Sequence, residues 1–423
     1  MFIRFFRRET KLDSRTRAAA LAAIAWLAGM AASGTAQAQF IPIDGWDGQL
    51  FPSYLIATAA IRSATAEDDE ESDESEESED ESSAVLGDKR GVLGVSVESP
   101  GEDTEITVTI TGSEILEEST FSGTLEGEGT YVIYPPIKYK YGVLAKNKQS
   151  VPVSLTFEVE IGDEEVEVQT RTITLRSVND CPFYIYHADG TFTDVSFTFA
   201  AYVNEQHPFV DKMLREALNS NIVDSFTGYQ SGNTAEVYRQ VYAIWNALSE
   251  RDVRYSNITT SAAQNNTVSS QHVRLIDESI NNAQANCVDG SVLLASMLRK
   301  IDIEPMLVFV PGHCYLAFFL DAKGTDLVGL ETTLIGSTAD GQTTLPGVEN
   351  VVDDTWQNTN SWGTFCAAVA MGNQGLRDNY KKFNEKSDPE YQLVPIAAAR
   401  KQGILPIPFD SATKFEATAG VEE

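Results

Sequence analysis

The sequence predicts an α+β protein in which an immunoglobulin-like β-sandwich precedes a mixed domain of helices and strands. Three observations carry the prediction. Residues 91–177 alternate apolar and polar side chains with period two, as at Ile106, Val108 and Ile110. Residues 209–248 switch to helical spacing, with Phe209, Val210, Met213, Leu214 and Ala217 in one stripe and Val237, Val241, Ile244, Trp245 and Leu248 in another. Beyond them, Cys287, His313 and Glu331 stand in turn at a helix start, a strand start and the following strand.

Residues 1–38 read as an export signal. Arg4, Arg7, Arg8, Arg15 and Arg17 supply positive charge, 18–32 an apolar core, and Ala36-Gln37-Ala38 a small-residue cleavage site. That core is shorter than the roughly 20 residues a membrane helix needs. No membrane span is therefore expected after signal removal, and the chain is expected in the periplasm, at the cell surface or in the medium. Residues 39–64, with Phe40, Trp46, Phe51 and Tyr54, are expected to dock as a short segment on the body of the protein. Residues 65–88 are expected to be a solvated, disordered acidic linker, because twelve acids fall between Glu67 and Glu81 without one apolar residue.

Residues 89–178 form the expected sandwich, with a tight turn at Gly162-Asp163 between two long alternating runs. No chemical constellation occurs there, which suits a spacer or docking module. Residues 179–409 form the second domain, opening with a connection over 179–201. Asn233 and Glu236 stand at capping-box spacing before the second helical stripe. His187 and His207 have no thiol or acid at motif spacing and are expected on the surface. A further helix is expected over 271–280. Residues 410–423 are expected to fray.

Asn286-Cys287-Val288-Asp289 opens the apolar run 288–301 with a good N-cap and a first-turn acid, which sets Cys287 at a helix start. There the unpaired amides and the helix dipole favour a thiolate, Asp289 opposes it, and an imidazolium is needed to tip the balance. His313 is the candidate. It follows Pro311-Gly312 and begins an apolar run, and a turn centred near Ala322 returns the chain to 327–331. That centring places His313 opposite Glu331, and cross-strand Cβ atoms lie roughly 5 Å apart. Glu331 is the expected orienter of the ring, since Asp321 lies too far along the strand. Gln271 is the oxyanion candidate, with Gln284 as rival.

The segments 271–274, 286–289, 294–299, Ile303-Glu304-Pro305, Val310-Pro311-Gly312-His313 and Leu330-Glu331-Thr332-Thr333 resemble the bacterial transglutaminase-like cysteine peptidase family over about half the chain. The resemblance implies a papain-related fold in the second domain, with Cys287 as nucleophile, His313 as base and Glu331 as orienter. Two positions depart from the family pattern. Relatives often carry Asp as third member, and Asp302 stands where Gly is usual; Asp tolerates the left-handed backbone.

A net charge of -31 argues against nucleic acid and anionic lipid as partners. No Cys/His spacing suggests a metal cage, and neither cofactor nor metal is expected. Removing Cys287 from the four cysteines leaves an odd number, so at least one more is expected buried and unpaired, and Cys314 suits a core role. The function implied is cysteine-dependent hydrolysis or transfer of a peptide or carboxamide acyl group, with a protein or peptide substrate. The alternative is a secreted peptide-binding or structural protein of the same fold that turns nothing over.

Overall fold

Period-two alternation builds the first half of the molecule, because each strand sends every second side chain inward. The structure is a computed structural model that describes residues 40–62, 83–257, 267–339, 345, 348, 350–384, 388 and 390–416. The expected export signal and most of the acidic linker lie outside these. The first half runs β1 (Phe40–Asp44), β2 (Gln49–Leu50), α1 (Pro52–Ala57), β3 (Ser83–Gly87), β4 (Leu93–Ser99), β5 (Thr104–Ile110), β6 (Ser119–Leu125), β7 (Gly129–Tyr134), α2 (Tyr141–Leu144), β8 (Val151–Ile161) and β9 (Glu167–Leu175). One sheet has the order β1-β4-β7-β3 and the other β2-β9-β8-β5-β6. Val95, Val97 and Ile133 of the first and Val108, Ile110, Leu155 and Phe157 of the second enter one core.

One expectation for this half is refined and one is corrected. The segment 40–62 does dock, but as strands that complete both sheets, since β1 pairs with β4, β2 pairs with β9, and Leu50 and Leu55 are fully buried. The acidic linker also ends earlier than residue 88. Ser83–Gly87 pairs parallel with β7, as the apolar residues after the charge run allow.

The second half runs β10 (Asp180–Tyr186), β11 (Phe192–Asp194), a 3₁₀ segment Ser196–Tyr202, α3 (Pro208–Asn219), α4 (Thr234–Glu250), β12 (Arg254–Tyr255), β13 (Val268–His272), α5 (Ile276–Asn281) and β14 (Gln284–Ala285). It continues through α6 (Cys287–Lys300), β15 (Pro305–Val310), β16 (His313–Phe319), β17 (Leu327–Leu330), α7 (Asp354–Gln357), α8 (Asn360–Asn384), β18 (Gln392–Pro395) and α9 (Ile396–Lys401). An antiparallel sheet β17-β16-β15-β18 carries α6 against β15 and β16, and α8 lies against β17. The last contact is backbone on backbone: a Cβ at Gly329 would stand 2.3 Å from the carbonyl carbon of Gly372. The chain is α+β, and among the described residues no helix is long and apolar enough to cross a membrane.

Several local expectations change here. Residues 180–186 and 192–194 are strands, and with β13 they form a three-stranded sheet where a connection was expected. The predicted helix over 271–280 divides into the end of β13 and the shorter α5. Asn233 caps α4 by accepting from the Ala235 N–H at 3.0 Å, but the Glu236 carboxylate turns to Arg239, so the reciprocal half of the box does not form. His207 is buried, capping α3 through Nδ1. Residues 410–416 are held, with the Phe415 ring 5.0 Å from that of Phe209 and 4.5 Å from the Arg251 guanidinium.

Candidate active site

The thiol's position follows from one reciprocal cap. Asn286 Oδ1 accepts the N–H groups of Val288 and Asp289, both at 2.9 Å, and Asp289 Oδ2 accepts the Asn286 N–H at 2.9 Å. Cys287 is thus the first helical residue of α6, at the positive end of its dipole. Its carbonyl accepts from Ser291 Oγ at 2.7 Å and Thr332 Oγ1 at 3.3 Å. Thr332 follows Glu331 directly, so the backbone of Cys287 is tied to the segment that carries the acid.

His313 opens β16 opposite Val310, across the Pro311-Gly312 turn in which Gly312 takes φ +69°. Glu331 is buried, and its Oε1 accepts from the Thr333 N–H at 3.1 Å and hydroxyl at 2.6 Å. Its Oε2 lies 2.7 Å from His313 Nε2. Burial raises the Glu331 carboxyl, but the bonds from His313 and Thr333 and the ring's charge outweigh it and hold it below the usual glutamate value. An ionised carboxylate only accepts, so Nε2 carries the proton. With Nε2 committed, Nδ1 is the ring nitrogen left to exchange a proton with a thiol. Burial opposes charge on the ring, yet the bonds to Cys287 and Glu331 and their charges raise the His313 pKa to about 10.

The contact arises in a register other than the predicted one. Leu316 pairs with Leu330 and Ala317 with Gly329, so continuing the ladder would set Glu331 opposite Tyr315 and leave His313 on the diagonal. The turn is longer than expected. Asp321 accepts from the N–H groups of Lys323, Thr325 and Asp326, and Leu320 N–H closes it on the Asp326 carbonyl at 2.8 Å. A two-residue slip leaves each side chain on its own face. The diagonal is longer than the direct pair, which suits glutamate's extra methylene over aspartate.

Gln271 sits on β13, and its Nε2 donates to the His272 carbonyl at 2.9 Å. It lines the same cavity, of about 240 Å³, as Cys287 and His313. Gln284 is exposed on β14. Trp362 is buried 4.8 Å from the Tyr242 ring and Trp46 packs 4.7 Å from Tyr54, so neither lines the cavity. All four cysteines are free thiols. Burial pushes Cys181 and Cys314 upward and Cys366 to about 11, whereas Cys287 is half-buried and borders the cavity.

Two residues given no role from the sequence belong to this site. Arg274 N–H and Nη1 reach Asp289 Oδ1 and Oδ2 at 2.8 and 2.7 Å, supplying a counter-charge to the acid expected to oppose the thiolate. A fully buried acid beside a candidate nucleophile was a signal to look for a cation. Tyr255 pairs with Ala285 in the β12–β14 ladder, and the charges of Cys287, Glu331 and Asp289 act on its hydroxyl behind the effect of burial. Among the described residues, no group of three or more His, Cys, Asp or Glu could hold a metal ion. No family profile matches the chain, and no curated protein matches it.

Proposed function

We propose that the chain is an exported thiol enzyme of transglutaminase-like, papain-related fold, acting on a peptide or carboxamide bond through Cys287, His313 and Glu331. The observation that carries this reading is the 2.7 Å bond from His313 Nε2 to buried Glu331, on a ring that lines the same cavity as Cys287. The Cys287 sulfur attacks the carbonyl carbon as thiolate. The developing oxyanion is met by the Cys287 N–H, which has no partner inside a helix, and by the second N–H of the Gln271 amide. His313 gives its Nδ1 proton to the departing amine, leaving a thioester. Water, deprotonated by Nδ1, then attacks the thioester, releasing the acid and the thiol. An amine in place of water would give transfer; hydrolysis is favoured because water is abundant outside the cell. The immunoglobulin-like reading of the two N-terminal sheets belongs to the same proposal, as a docking or spacing module.

Iodoacetamide at neutral pH tests it. Mass spectrometry is expected to find the label on Cys287 and not on the other three thiols, and His313→Ala is expected to slow labelling by about 10-fold or more. An inert Cys287 in the folded chain would sink the proposal and favour a binding protein.

A further inference from the structure

The cavity beside Cys287 has a composition that names its occupant. Phe183, Phe199 and Phe309 stack in series along one wall, with centroid separations of 6.0 and 4.6 Å, and Tyr184 meets Phe183 edge-on at 4.9 Å. The polar groups at the far end are already engaged. Gln392 Nε2 donates to Asp194 Oδ2 at 2.5 Å and to the Tyr184 hydroxyl at 3.3 Å, while its Oε1 accepts from Ser196. A ligand there meets aromatic carbon and satisfied dipoles. Apart from Cys287 and His313, the ionisable side chain on the lining is Glu390, which is exposed. A volume of about 240 Å³ exceeds the roughly 150 Å³ that holds a benzene ring in an apolar protein cavity.

We propose that this cavity is the acyl-side subsite, and that it takes a large apolar side chain, aromatic or branched aliphatic, on the residue whose carbonyl Cys287 attacks. The inference rests on the acyl-transfer reading. The acyl group must stay bound through the thioester stage while the amine leaves and water enters, so the walled side of the sulfur suits the acyl group. Tyr255, 47% exposed and outside the cavity lining, marks an open approach for the acceptor. An acidic side chain would meet aromatic walls that cannot solvate it and the Glu390 carboxylate, of its own sign.

The full-length chain is treated with N-acetyl-phenylalanyl, alanyl and aspartyl chloromethyl ketones, and alkylation of Cys287 is timed by mass spectrometry. The phenylalanyl probe is expected to react about 10-fold or more faster than the alanyl, with the aspartyl slowest. Phe309→Ala is expected to collapse the phenylalanyl-to-alanyl ratio, and should it not fold, Phe309→Leu is expected to lower it. Equal rates for the three ketones, with iodoacetamide still labelling Cys287, would overturn the subsite and leave the acyl-transfer reading standing. If iodoacetamide does not label Cys287, that reading falls instead. Saturation-transfer NMR on the Cys287→Ala chain then judges the cavity: transfer to N-acetyl-phenylalaninamide but not N-acetyl-aspartamide supports an apolar side-chain site, and none to either refutes it.

Discussion

His313 and Glu331 each hold the other in its charged form. The ring's pKa is raised from 6.5 to about 10, so its charge stabilises the fold fully below pH 6.5, and that contribution is lost as pH rises toward 10. The carboxyl is held below its ordinary 4.5, so its contribution is present above that value and is lost as pH falls through the folded-state value. The advantage of the wild-type chain over His313→Gln in thermal melting is thus expected to be greatest between about pH 5 and 6.5. It is expected to decline gradually on the alkaline side. An advantage that rises between pH 7 and 10 would show that the ring is not held as a cation. Glu331 was identifiable from the sequence because strand alternation keeps a residue on its face. Its diagonal position was not, because the length of the turn depends on Asp321 gathering several N–H groups, which spacing alone does not encode.

At the scale of elements, α6 was the most legible part of the chain. Asn286, Asp289 and the apolar run 288–301 are local signals, and local signals place the helix start. β13 was not legible. Val268–His272 reads Val-Ser-Ser-Gln-His, with almost no apolar alternation, and its strand character comes from pairing with β10 some ninety positions earlier. β10 was missed for another reason: Asp180–Tyr186 is an apolar and aromatic run without alternation, interrupted by Pro182, and its pairing with β13 is long-range. Arg274 sits just after β13, and its role depends on that long-range pairing, which brings it to the start of α6. Asp289 is fully buried, so Arg274→Met leaves a carboxylate without its counter-charge. A loss of about 3–5 kcal/mol is expected in urea unfolding. Adding Asp289→Asn to Arg274→Met is expected to recover much of it. If the double variant is as unstable as the single one, the pair is not what holds the helix start.

Across the whole molecule, residues 40–62 join the two halves. β1 and β2 each extend one of the N-terminal sheets, while α1 lies against β10 and the Ser196–Tyr202 segment, whose Ser196 and Phe199 line the cavity beside Cys287. Ser53 Oγ donates to the Asp180 carbonyl at 2.6 Å, and the Leu405 N–H donates to the Ala57 carbonyl at 2.9 Å. Asp180 in turn holds Arg176 at 2.9 Å, and Asn179 Nδ2 donates to the Val273 carbonyl at 2.9 Å, just before Arg274. A path of contacts therefore runs from α1 through Asp180, Asn179 and Arg274 to Asp289 in the first turn of α6. Phe40, Leu50, Phe51 and Leu55 are all at most 2% exposed, and truncating one such core leucine costs about 2–5 kcal/mol, so losing the whole segment exceeds the roughly 5–15 kcal/mol that stabilises an ordinary fold. A chain begun at Ser83 is accordingly expected to be insoluble or to lack a cooperative thermal transition, and to label at all four cysteines rather than at Cys287 alone. A chain begun at Phe40 is expected to melt as the full-length protein does. If the shorter chain melts cooperatively and confines the label to Cys287, then 40–62 is an appendage, and the cavity wall formed by Ser196–Tyr202 stands without it.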